Sequence, residues 1–179
     1  MLTLVSGGSA SGKSEFAESL VLQSGCGERY YLATMIPFDD ECRRRIARHR
    51  KMRAQKGFVT IETPVDLASH LPEGAPQGRC ALLECMSNLV ANELFSPEQA
   101  VDGSAVEEKI LAGVQQLCSR CEQVIVVTNE LFSDGVRYDE GTQRYLAVLG
   151  RINCRLAQLA DTVYEVAAGI PIRWKGAKR

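Results

Sequence analysis

Apolar positions along the chain fall into two recurring patterns. Short runs that are apolar on both sides alternate with longer stretches in which apolar residues return at helical spacing. Leu2–Ser6 is an apolar run closed by glycines, the pattern of a buried first strand. From Ser14 to about Gln23, Phe16, Ala17, Leu20 and Val21 form a helical stripe, and Gly25 and Gly27 punctuate its end. Arg29–Ala33 predicts a second strand, and Asp39–Lys56 a polar helix whose opening acids suit the helix dipole. Phe58–Ile61 is a short strand, followed by Pro64 and a brief helix ending at about His70, beside its last carbonyls. After a loop over Leu71–Gly78, Cys80–Glu84 predicts a buried strand and the residues to Leu94 a helix. A polar stretch over Ser96–Gly103 leads to a helix from Ser104 to about Cys121. Gln123–Thr128 is the clearest strand, Glu140–Leu159 a helix, and Thr162–Ala167 and Gly169–Trp174 the closing strands. Strands apolar on both faces, alternating with helices, predict an α/β fold with a mainly parallel sheet flanked by helices.

Composition narrows this picture without changing it. The 179 residues suit a single domain over 1–179, long enough to bury a core without disulfides or structural metal. No apolar stretch approaches the length of a membrane span, and the N-terminal residues lack the basic and apolar regions of a secretion signal. A cytoplasmic protein is expected. The net charge of −1 and 6% aromatic content exclude a generally basic nucleic-acid binder. The charge is uneven, however: eight of the 21 Lys and Arg lie from Cys42 through Lys56, a window with no carboxylate, which predicts a local anion-binding face. The seven cysteines, irregularly spaced, read as reduced and mostly buried. Cys118-Ser119-Arg120-Cys121 has a C-x-x-C form but no second ligand pair for zinc.

Two segments carry chemistry. Gly7-Gly8-Ser9-Ala10-Ser11-Gly12-Lys13-Ser14 matches the phosphate loop G-x-x-x-x-G-K-[ST], between a predicted strand and a predicted helix as its mechanism requires. Small residues let backbone N–H groups surround phosphate oxygens at a helix N-terminus, Lys13 reaches the terminal phosphates, and the Ser14 hydroxyl suits Mg²⁺. Glu84 ends an apolar strand as a Walker B acid does, so Ser14 and Glu84 are the expected metal residues. A regulatory GTPase is excluded: the chain has no N-K-x-D, and no Asp followed three residues later by Gly. The second segment is the basic helix, where Arg45 and Arg53 fall one turn either side of His49. Cations around an imidazole favour its neutral form, whose free lone pair suits attack on phosphorus while the cations offset a pyrophosphate leaving group.

Taken together, GGSASGKS, YLAT, DDE with RRRIARHR, TIETP, LLECMSNL, VVTNE and LGRINCRLAQLAD cover nearly the whole chain. In this order they closely resemble the bifunctional adenosylcobinamide kinase / adenosylcobinamide-phosphate guanylyltransferase family of cobalamin biosynthesis. The resemblance implies a RecA-like P-loop fold and a homotrimer. It implies ATP- or GTP-dependent phosphorylation of adenosylcobinamide, then transfer of GMP from GTP to adenosylcobinamide phosphate through a guanylylated histidine. That histidine falls on His49, with Lys13 the other catalytic residue, and Mg²⁺ accompanies the nucleotide. Besides the phosphate loop, the implied nucleotide-binding residues are Ala33, Thr34, Met35, Arg50, Lys51, Met52, Arg53, Glu62 and Glu84. The chain departs from the family pattern in the residues after Glu130 and at Cys154, segments expected on the corrinoid side or at the subunit contact. The alternatives are a small-molecule P-loop kinase without guanylyltransferase activity and a nucleic-acid-binding ATPase.

Overall fold

A computed structural model describes residues 1–37, 40–96, 102–132 and 135–176, without the side chains of residues 40–42, 45, 48, 49 and 52. In chain order the elements are β1 (Leu2–Ser6), α1 (Lys13–Gln23), β2 (Glu28–Ala33), α2 (Asp40–Gln55), β3 (Phe58–Glu62), β4 (Arg79–Glu84), α3 (Met86–Leu94), α4 (Gly103–Arg120), β5 (Gln123–Val127), α5 (Glu140–Leu159), β6 (Thr162–Ala167) and β7 (Ile170–Lys175). The brief helix expected before His70 is a 3-10 turn, Leu67–His70, and His70 Nδ1 lies 3.0 Å from the Asp66 carbonyl at its base. Asp39, expected to open the basic helix, and most of the Ser96–Gly103 stretch lie outside the described residues.

The strands form one seven-stranded sheet in the order β3-β2-β4-β5-β1-β6-β7. All neighbouring pairs are parallel except β6 with β7, which are joined antiparallel through the turn at Ala168 and Gly169. Parallel strands need helical crossovers, which cover both faces, so the central strands are apolar throughout. On one face Leu4, Leu32, Leu83 and Val126 meet α3, α4 and α5 in the larger core. On the other, Val5, Leu82, Ile125 and Val127 meet Ala17 and Val21 of α1.

Helix α5 illustrates the local logic. Val148, Leu149, Ile152 and Leu156 recur at three- and four-residue spacing and are all buried. Asp139 caps the helix by accepting the Thr142 amide at 3.0 Å, an interaction of about 1 kcal/mol. Helix α2 differs: it is strongly polar and packs against β3, a strand at the sheet's edge. No described helix is long and apolar enough to cross a membrane. Of the cysteines, Cys26, Cys80 and Cys121 are buried, Cys85 and Cys118 half-buried, and Cys154 exposed, all as free thiols. Burial pushes the Cys80 thiol up to about 12 and that of Cys121 to about 11, as inert core residues require. The described residues contain no cluster of three metal-ligating side chains.

Candidate active site

All parallel strands point their C-terminal ends to one edge of the sheet, and the chemistry-bearing residues collect there. The phosphate loop connects β1 to α1. Two of its glycines are dictated by space. A Cβ on Gly7 would lie 2.6 Å from both the Ser11 hydroxyl and the Val166 carbonyl, and Gly12, at φ +88°, would set one 3.3 Å from Gly169 Cα. The Ser11 carbonyl accepts the Gly169 amide at 2.8 Å and the Gly7 carbonyl the Glu130 amide at 3.1 Å, so the loop is pinned to the ends of β6 and β5.

Lys13 opens α1 with 9% of its surface exposed, and its ammonium donates to the Gly8 carbonyl at 2.9 Å. Burial pulls its pKa below the ordinary 10.5, opposed by the adjacent Cys85 and Glu84 groups. The loop therefore presents a cation curled back over backbone at a helix N-terminus, an arrangement suited in its chemistry to a polyphosphate. The exposed Ser9 and Ala10, with Ala10 at φ +55°, form its outer rim.

Strand β4 lies one strand away from β1, across β5, and carries Glu84 to the same edge. The Ser14 hydroxyl donates to Glu84 Oε1, while Glu84 Oε2 is buried with no hydrogen-bond partner among the described residues. A buried carboxylate oxygen without a donor, beside a hydroxyl at the phosphate loop, is a hard-oxygen set that fits Mg²⁺. The end of β4 is fixed by Thr34. Its amide donates to the Glu84 carbonyl at 3.1 Å, and its hydroxyl accepts the Cys85 amide at 2.7 Å and donates to the Cys85 carbonyl at 2.9 Å. Asn92 then holds the Thr34 carbonyl at 2.8 Å. Thr34 is fully buried, so its hydroxyl clamps β2 to β4 rather than facing the cavity.

That cavity, about 140 Å³, lies between β2, β4 and α2. It brings together five residues singled out in the sequence: Ala33, Met35, Arg53, Glu62 and Glu84. Arg53 is 7% exposed, with its guanidinium 3.6 Å from the centroid of the Tyr31 ring. Arg50 reaches Glu62 at 2.7 Å across the solvent-exposed rim, and Lys51 is exposed. His49 belongs to α2, but its side chain, like those of Arg45 and Met52, lies outside the described residues.

Tyr31, Ile46, Cys85 and Asn88 complete the lining and were not among the sequence candidates. For Tyr31 the sequence carries only part of the signal. Strand alternation puts it on the same face as Ala33, and Ala33 pairs with Glu84. The TNE segment also gains a place: Thr128 donates to Asn153 at 2.8 Å, and Asn129 to Ser87 at 2.6 Å, bracing the sheet edge behind the loop.

Residues 3–174 match the model of a family described as cobinamide kinase / cobinamide phosphate guanyltransferase. A "bifunctional adenosylcobalamin biosynthesis protein CobP" from Pseudomonas aeruginosa is 35% identical over 98% of both chains. A "bifunctional adenosylcobalamin biosynthesis protein CobU" from Escherichia coli K12 is 34% identical over 98% of this chain and all of that one. Among solved structures, the Pyrococcus horikoshii protein PH0250 covers 99% of this chain and 87% of its own at a TM-score of 0.54 and 12% identity. The flagellar accessory protein FlaH of Methanocaldococcus jannaschii covers 99% of this chain and 81% of its own at 0.50 and 12%. These two share the fold alone, a mostly parallel sheet flanked by helices.

Proposed function

This chain belongs to the cobinamide kinase / cobinamide phosphate guanyltransferase family, and from that premise we propose that it carries out both of the reactions that name describes. In the first, the hydroxyl of the adenosylcobinamide side chain attacks the γ-phosphorus of ATP or GTP, and the nucleoside diphosphate leaves. In the second, an imidazole nitrogen of His49 attacks the α-phosphorus of GTP. The nitrogen–phosphorus bond forms as the bond to pyrophosphate breaks, and the corrinoid phosphate then takes the GMP and frees the imidazole. Splitting the transfer into two displacements spares the site from aligning two large anions at once.

The observation that carries this reading is the contact between Ser14 and Glu84, with the unpartnered Glu84 oxygen beside it. It joins the triphosphate-receiving loop to the cavity beneath the basic helix, so one nucleotide can touch both. Lys13 and the α1 N-terminus hold the terminal phosphates. Ser14 and Glu84 would hold Mg²⁺, which supplies neutralisation of phosphate charge when bound. Arg53, buried against Tyr31, and Arg50 and Lys51 at the rim offset charge on the departing pyrophosphate.

The deciding experiment incubates the protein with GTP labelled at the α-phosphorus. A phosphoramidate on His49 gives protein-bound label that survives base and is lost in acid, and His49→Ala abolishes it. Full labelling of that variant would remove His49 from the role. Phosphorylation of adenosylcobinamide with no covalent label at all would reduce the protein to a kinase.

A further inference from the structure

The cavity wall contains an aromatic residue to which nothing above gives a chemical task. Tyr31 is 5% exposed, and Ala33, beside it on the same strand face, belongs to the core. Three observations separate it from ordinary core. Its ring carries the Arg53 guanidinium at 3.6 Å. Phe58 meets the ring edge-on, with centroids 6.1 Å apart and planes at 90°, which fixes the ring's orientation. Tyr31 also pairs with Leu82, two positions before the Ala33–Glu84 pair, so Tyr31 and Glu84 are diagonal neighbours on one face.

Arg53 is unusual in turn. Its side chain is buried, it lines the cavity, and its Nε has no hydrogen-bond partner among the described residues. A guanidinium taken out of water with a donor unmatched is held by something other than its own hydrogen bonds. The face of an aromatic ring, with its negative quadrupole, supplies that hold without consuming a donor.

We infer that Tyr31 is a positioning residue of the nucleotide site: its ring seats Arg53 over the cavity with the guanidinium donors still free for an acceptor on the nucleotide. The inference rests on the nucleotide-binding reading above and adds to it how the basic helix is set in register with the loop.

The test is a double-mutant cycle read by equilibrium binding of a fluorescent GTP analogue to the full chain. Tyr31→Phe keeps the ring, and its affinity stays within about twofold of the parent. Tyr31→Leu weakens binding about tenfold, the loss of one desolvated cation–π contact. In an Arg53→Ala background the same Tyr31→Leu change has little further effect, because its partner is gone. Equal losses in both backgrounds would overturn the inference, as would a Tyr31→Phe loss matching that of Tyr31→Leu. Arg53→Lys guards against a Tyr31→Leu chain that does not fold: it keeps the charge, loses the planar stack and weakens binding severalfold, whereas parent affinity would overturn the inference. Lys13→Ala separates the two levels. If it leaves GTP affinity intact, the nucleotide-binding reading fails. If it abolishes binding while the cycle is additive, only the role of Tyr31 fails.

Discussion

The phosphate loop and the basic helix share the proposed nucleotide site, yet they are held by different forces. The loop lies between β1 and α1, whose inner residues Val5, Ala17 and Val21 are wholly buried, and its carbonyls are tied to β5 and β6 by backbone hydrogen bonds. Helix α2 and the residue after it are held by polar clips to three elements: Arg50 to Glu62 of β3, Lys56 to Glu18 of α1, and Arg53 on the Tyr31 ring of β2. Hydrophobic burial fixes the first, and charge and stacking fix the second. A triphosphate needs a cradle formed in advance, since misplaced amides cannot be corrected cheaply. On the proposed reading α2 carries its cations toward the α-phosphate and the leaving group, and an apolar seat would leave too few positions for them.

This contrast can be broken most directly at the core. Leu82 is fully buried beneath the α1 face, whereas Ile46 of α2 is only half-buried at the cavity. Leu82→Ala costs about 2–5 kcal/mol of unfolding free energy, measured in urea, and Ile46→Ala about 1 kcal/mol or less. Similar costs at the two positions would show that α2 is packed as α1 is.

Lys13→Ala comes next. It lowers GTP affinity about hundredfold, in line with the loss of one preorganised donor, yet it leaves thermal stability unchanged or raised, since a desolvated ammonium is removed. A large drop in stability instead would mean that the Lys13–Gly8 bond builds the loop rather than waiting for phosphate.

The same lysine gives a smaller effect in pH. Its pKa is 10.5 in the unfolded chain and lower in the fold, chiefly through burial. Between the two values the unfolded state holds more of this proton, so stability from Lys13 rises as pH climbs through the folded pKa toward 10.5. Below that window the buried charge is a standing cost. Urea unfolding of the nucleotide-free protein against Lys13→Met measures this: the parent gains on the variant as pH rises, and parallel profiles would show that Lys13 is not desolvated.

Much of this architecture is legible in the sequence because its signals are local. The phosphate loop declares itself through glycines that a Cβ would clash with, and the strands through runs apolar on both faces. Glu84 is readable as an acid ending such a run. Thr34 is legible as part of a motif but not in its task, because its hydroxyl partners lie at Cys85, 51 residues away just past the end of β4. Tyr31 was missed for a related reason: aromatic residues in a strand read as core, and only the arrival of Arg53 from another element gives the ring a second use. The brief helix ending at His70 is legible as well, though four residues carry too little periodicity to show that it is of the 3-10 kind.

The smallest effect lies at the rim. Arg50 and Glu62 are 2.7 Å apart, with 54% and 43% of their side chains exposed, so water screens the pair. Arg50→Ala costs under about 1 kcal/mol at low ionic strength, and in about 1 M salt, where the screening length is about 3 Å, the difference disappears. Arg53→Ala behaves otherwise: its guanidinium is buried on a ring, salt does not reach the contact, and its cost persists at both ionic strengths. Unfolding of the two variants at low and high salt therefore ranks the clips of α2. A salt-sensitive Arg53 would place the helix's hold in long-range charge, and a salt-insensitive Arg50 would mean that its aliphatic stem, rather than its ion pair, seats the helix on β3.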